Sequence, residues 1–287
     1  MRSRRFFLRS LLAVAFVATT AALSAAPKAS GEPKSPKSLK VLVIGNSFSV
    51  CVIDEFPQIA KQMGVKLDLG SLSIGGTTLS DHWNLLEEAT NATVVAYRFD
   101  RFTDGRKVVL GQRANPLKVI KSTKWDVVTI QQSSYSSMGK DSFHPEGDKL
   151  VAALRKLLPK AKIYVQETWS YPSWDDRYKD FGFDSKEMYE KVRDAYAEFA
   201  RDHELGLIAV GTAAQRVPER DRLFTQPDYH FNKEGRYLQG LVWTATLFGI
   251  DLEKRHKSPA WLGEKRGREL REAAAGAALV SKQFKAK

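Results

Sequence analysis

The chain has 287 residues, 45 Lys and Arg against 33 Asp and Glu for a formal net charge of +12, and a single cysteine, Cys51. A chain of this length can bury an ample core in one domain, while a lone cysteine excludes an internal disulfide framework and any cysteine-rich metal site. The positive charge is scattered, and its densest run, EKRHKSPAWLGEKRGRELRE (253–272), alternates with Glu on an expected helix. That pattern is a solvated face, so no nucleic-acid partner is expected.

The first residues carry Arg2, Arg4, Arg5 and Arg9, an apolar stretch over about 11–23, and small residues from Ser24 to Ala26. This reads as an export signal over 1–26, too short in its apolar part to span a bilayer, and SRRFFLR (3–9) resembles the bacterial twin-arginine signal. The mature protein is thus expected outside the cytoplasm, periplasmic or secreted, with no membrane association. Residues 27–39, rich in Pro, Ser and Lys, form a flexible tether.

Strand-like runs follow at 40–45 (KVLVIG), 65–74, 125–132 (WDVVTIQQ), 162–168 and 205–211, with helical patterns at 53–64, 147–159 and 185–204 between most of them. Alternation of this kind predicts a three-layer α/β/α sandwich around a mostly parallel five-stranded sheet. The exception is 92–112, where Asp104-Gly105 between alternating runs predicts a β-hairpin insertion. Apolar residues cover most of 236–249, predicting a packed helix, and 251–287 reads as a helical extension after a domain at 40–250.

Sites in such sheets gather at the carboxyl ends of the strands. The first run ends Gly45-Asn46-Ser47, which places Ser47 like a nucleophile; the same tripeptide also suits a plain turn with Ser47 capping the next helix. Gly75-Gly76 ends the second run, where a bare backbone N–H can approach a substrate as an oxyanion hole requires, or where the chain merely turns. Gln131 and Gln132 close the third run; either one reaches the site as a donor or both hydrogen-bond structurally. In the polar loop before the last apolar helix, His230 has a carboxylate, Asp228, close enough to orient its ring. Cys51 reads as a buried filler.

Together these pieces resemble the SGNH (GDSL-type) hydrolases. Gly45-Asn46-Ser47-Phe48-Ser49 looks like the nucleophile block with Asn46 where Asp is more usual. SIGGTT (73–78) resembles the second block, with Gly76 at its oxyanion glycine. His230, Asn232, Gly235 and Leu238 match the offsets of the last block. The combination with WDVVTIQQSS is most similar to a poorly characterised branch of the superfamily and covers 40 to about 250. The resemblance implies a serine esterase in which Ser47 attacks, His230 is the base, and the Ser47 and Gly76 N–H groups hold the oxyanion. Two departures stand out. Gln132 occupies the place of an oxyanion Asn, so either its amide substitutes or the hole has one donor fewer. The acid usually lies three residues before the His, where this chain has Pro227, so either Asp228 reaches His230 or a Ser–His dyad operates. Asp141-Ser-Phe-His144-Pro145 reproduces the family's D-x-x-H-P string literally, but too early in the chain, and His230 is preferred.

The expected reaction removes acetyl or other short acyl groups from an extracellular carbohydrate, with Trp169, Tyr171 and Trp174, and Tyr178 beside them, stacking on sugar rings; ordinary packing of a long loop is the alternative. Rival readings are a lipase or arylesterase of the same fold and a non-catalytic carbohydrate-binding protein. No cofactor is expected, and no metal, since the five histidines form no ligand pattern in the sequence.

Overall fold

A computed structural model describes residues 36–91, 93–255 and 257–287. The expected export signal and most of the tether lie outside the described residues. Among the described residues seven strands form one sheet: β1 (Ser38–Gly45), β2 (Lys66–Ser73), β3 (Tyr97–Thr103), β4 (Arg106–Ala114), β5 (Val127–Ile130), β6 (Lys162–Glu167) and β7 (Gly206–Ala209). Their order is β4-β3-β2-β1-β5-β6-β7. β2, β1, β5, β6 and β7 are the five expected parallel strands, buried on both faces as their apolar runs require. The hairpin adds two antiparallel strands at the β2 edge, so the sheet has seven strands rather than five. At its tip Asp104 (φ 48°) and Gly105 (φ 77°) supply the two left-handed residues that a tight hairpin turn demands. Arg101 of β3 anchors the hairpin by a two-pronged ion pair to Asp68 of β2, at 2.9 and 2.7 Å.

The helices are α1 (Ser47–Val50), α2 (Val52–Gln62), α3 (Leu79–Glu88), α4 (Pro116–Ser122), α5 (Glu146–Leu157), α6 (Tyr178–Phe181), α7 (Ser185–Asp202), α8 (Val210–Arg216), α9 (Lys233–Phe248), α10 (Leu252–Arg255) and α11 (Glu264–Ser281). α2, α9 and α11 pack together in one layer, while α3, α4, α5 and α7 form the other, as right-handed crossovers from a reversal at β1 require. α9 is buried nearly all round, and Asn232 caps it by accepting from the N–H groups of Glu234 and Gly235. The reversal of chain order at β1 opens the crevice in which α/β sheets bind ligands, and Ser47 follows β1 directly.

Candidate active site

Gly45 ends β1 where only a glycine fits: a Cβ there would stand 2.3 Å from Ser49 Oγ and 3.2 Å from the Gln131 amide. Asn46, buried, then turns the chain. Its Oδ1 accepts the Phe48 N–H at 3.0 Å and its Nδ2 donates to the Thr77 carbonyl at 2.8 Å. That second bond needs an amide, because a carboxylate has no proton to give, and it ties the β1 turn to the loop after β2. Ser47 emerges half-buried as the first residue of α1, its N–H without an intrahelical acceptor. Cys51 donates to the Ser47 carbonyl at 3.4 Å, and burial pushes its thiol pKa up to about 12, so it is no rival nucleophile.

His230 comes from the loop before α9, and its Nε2 lies 2.8 Å from Ser47 Oγ. Its Nδ1 lies 2.8 and 2.9 Å from the two oxygens of Asp228. The two-residue spacing works because the loop doubles back: Thr225 N–H donates to the His230 carbonyl, Phe224 bridges to Phe231, and Asp228 Oδ1 also accepts the His230 N–H. Desolvation raises the Asp228 pKa, but the hydrogen bond and charge of His230, with two backbone N–H groups, outweigh it and hold the carboxyl below its usual range.

Gly75 and Gly76 form the exposed tip of the neighbouring loop, Gly76 at φ +74°. The tip is pinned beside Ser47 at both ends, by Ile74 N–H donating to the Gly45 carbonyl and by Asn46 holding Thr77. His82, fully buried on α3, supports it from behind. Thr77 Oγ1 donates its one proton to the Ile74 carbonyl, so at 3.2 Å His82 Nε2 must be the donor to Thr77 and its Nδ1 the acceptor from the Tyr97 hydroxyl at 2.7 Å. Burial lowers the His82 pKa to about 4, keeping the ring neutral in this tautomer.

Several expected site residues lie elsewhere. Both glutamines fall beyond β5. Gln132 does not face the site: its Oε1 accepts from Leu79 and Ser133 N–H, and its Nε2 is occupied by the Ser142 carbonyl at 2.7 Å. Gln131 donates to Asn46 Oδ1 at 2.5 Å. Trp169 and Tyr171 are buried and offer no face to a sugar. Trp169 instead stacks on Phe231 at 3.7 Å, leans on Phe48, and donates to the Tyr229 carbonyl, fixing the chain on both sides of His230. Tyr171 packs its ring on Tyr229, and Trp174 and Tyr178 are half-buried against the core. The half-exposed ring beside His230 is that of Tyr229, stacked on it at 4.6 Å.

Sequence reasoning also missed a buried amide chain beneath Ser47. Gln131 Oε1 accepts from Gln166, whose own Oε1 accepts from Gln239 and Trp243, and both Gln166 and Gln239 donate to the Phe48 carbonyl. A glutamine inside the apolar helix α9 was the available signal. The histidines correct another expectation: among the described residues His144, Asp148 and His203 do converge, with all three ligand-type atoms within 4.8 Å of one another.

A family profile described as a domain of unknown function, DUF4886, matches residues 40–277. The chain belongs to the DUF4886 family. A solved DUF4886 protein from Bacteroides uniformis ATCC 8492 superposes with a TM-score of 0.76 at 24% identity, covering 84% of this chain and 95% of that one. A candidate SGNH hydrolase from Slackia heliotrinireducens gives 0.53 at 18% identity over 73% of this chain and 99% of that one. A candidate GDSL-like lipase from Parabacteroides merdae ATCC 43184 gives 0.51 at 12% identity over 75% and 99%. Among curated proteins none matches. This DUF4886 chain therefore has the fold of the SGNH hydrolases, as the motifs led one to expect.

Proposed function

We propose that this protein is a serine ester hydrolase that works through an acyl-enzyme and removes short acyl groups, acetyl above all, from an extracellular carbohydrate. The observation that carries the reading is the continuous line from Ser47 Oγ through His230 to Asp228, with 2.8 Å at the serine and 2.8 Å at the carboxylate. In it Ser47 attacks the ester carbonyl as its proton passes to His230 Nε2. Asp228 holds the Nδ1 proton and favours the imidazolium. The N–H of Ser47 and a backbone N–H of the Gly75-Gly76 tip stabilise the oxyanion, each such donor being worth about 3 kcal/mol. The tetrahedral adduct collapses by giving the proton from Nε2 to the leaving alcohol, and a water activated by the same nitrogen then releases the acid.

The carbohydrate half of the proposal rests on a half-exposed serine with a polar loop on either side; the Tyr229 ring beside it is already stacked between His230 and the Arg177 guanidinium, so Tyr229 meets a substrate by its edge. Incubation with a fluorophosphonate, followed by mass spectrometry, tests the chemistry. One adduct on Ser47 that is lost in Ser47→Ala and weakened in His230→Ala is expected; no adduct on the folded protein refutes the reading. Acetate release from acetylated polysaccharide, set against release from long-chain lipid esters, tests the substrate.

A further inference from the structure

The D-x-x-H-P string leaves His144 without a part in the Ser47 site. Asp141 does not orient its ring; it supplies only a backbone carbonyl that accepts the His144 N–H. The ring instead turns toward α5, where His144 Nδ1 lies 2.7 Å from Asp148 Oδ1. His203, the residue that ends α7, brings its Nε2 to within 2.7 Å of the same oxygen. Two imidazole nitrogens and one carboxylate oxygen thus converge on a point, from segments 55 residues apart.

We propose that His144, Asp148 and His203 bind a divalent transition-metal ion of the zinc class. Neutral imidazole nitrogens with a carboxylate are the donors such ions take, with water in the remaining positions. The side chains leave room for that water, being 37, 38 and 18% exposed for His144, Asp148 and His203. The rings are also held in place: buried Phe199 packs against His203 at 4.8 Å and meets His144 edge-on at 5.7 Å. Metal bonds of about 2.0–2.1 Å in a tetrahedral shell put neighbouring donors about 3.3 Å apart, so each nitrogen must retreat from the oxygen by about 0.6 Å and the two nitrogens, now within 4.8 Å of each other, must settle at that same spacing. Each nitrogen binds the ion through its lone pair, so any hydrogen it now directs at Asp148 is given up to water or taken by the other ring nitrogen. Arg155 faces the site only through a hydrogen bond to the His203 carbonyl and stays outside the donor set. An ion there clips the start of α5 to the end of α7 and closes the loop that contains β6 and Trp169, so its role is structural and separate from Ser47.

The test uses the untagged full chain, stripped with chelator and dialysed, then titrated with Zn²⁺ and with Co²⁺. About one ion per chain is expected, with a rise in Tm on adding Zn²⁺ and Co²⁺ absorption free of a thiolate band. His144→Ala and His203→Ala should each weaken binding by about tenfold or more. His230→Ala should bind as the wild type does, which separates this site from the catalytic histidine. Asp148→Asn, nearly isosteric, serves if an alanine variant fails to fold and should weaken binding likewise. A folded wild type that takes up no Zn²⁺ and shows no change in Tm overturns the proposal, as does binding that survives these substitutions or depends on His230.

Discussion

Replacing Asp228 by Asn measures how much a half-exposed carboxylate contributes to the proposed line of proton transfer. The side chain is 46% exposed, against 27% for His230, so the field it exerts on the imidazolium is partly screened. At about 4 Å, unit charges attract by about 1 kcal/mol in water and about 4 kcal/mol in a surface-like dielectric of about 20. A value midway, about 2 kcal/mol, is a loss of roughly 30-fold in kcat/KM. That is far below the roughly ten-thousand-fold loss known for a fully buried triad aspartate. The assay is hydrolysis of an activated acetate ester under pseudo-first-order conditions, with circular dichroism to confirm the fold. A loss under twofold refutes the argument, because Asp228 would then be a bystander to a Ser–His dyad; a loss above ten-thousand-fold refutes the screening. Because the Asp228 pKa lies below the usual carboxylate range, its ionisation should not limit activity above about pH 4.

Two buried groups should pull stability in opposite directions across the same pH window. The folded pKa of His82 falls from 6.5 to about 4, so its contribution is present above pH 6.5 and lost as pH falls toward 4; the folded pKa of Glu167 rises from 4.5 to about 7, so its contribution is present below pH 4.5 and lost as pH rises toward 7. Each is worth at most about 3 kcal/mol, and urea melts of Glu167→Gln should gain a slope that rises with pH while His82→Gln gains a falling one; parallel curves for both would contradict this. Gly45→Ala should cost about 1–3 kcal/mol and most of the activity, with partial recovery in Gly45→Ala/Ser49→Ala, since the intruding Cβ meets Ser49 Oγ first. No recovery in the double variant would show that the clash lies elsewhere. Gln132→Ala should lose about 2 kcal/mol by stranding the Leu79 and Ser133 N–H groups, yet keep kcat within about tenfold. A hundredfold drop in kcat at unchanged stability would return Gln132 to the oxyanion hole.

The parallel strands and the Ser47 and His230 positions were legible because each rests on local information: apolar runs, a glycine that ends a strand, a histidine block before a helix. The hairpin was equally plain from Asp104-Gly105, but its attachment to the sheet depends on pairing with β2, which no local pattern encodes. Asp228 was ambiguous because spacing along the chain says nothing of a loop that folds back on its own histidine. Trp169 and Tyr171 misled since an aromatic-rich loop has the same composition whether it lines a cleft or fills the space behind one. Gln132 misled for a related reason: a strand-end amide faces a site or a neighbouring loop according to packing partners 10 and 53 residues away. His203 pairs with Asp148 across 55 residues, a separation at which a ligand pattern is invisible in the sequence.

The amide chain under Ser47 also bears on when the proposed site is assembled. Ser47 leaves the ribosome before its proposed base, His230, which lies 183 residues further on, and the Phe48 carbonyl waits for Gln239, 191 residues away. Contacts of such long range form late in folding, since loop closure must precede them. An incomplete chain therefore carries an ordinary serine hydroxyl, and on the proposed reading the cell that makes the protein is shielded from hydrolytic chemistry until the helices that hold His230 and Gln239 in place have docked.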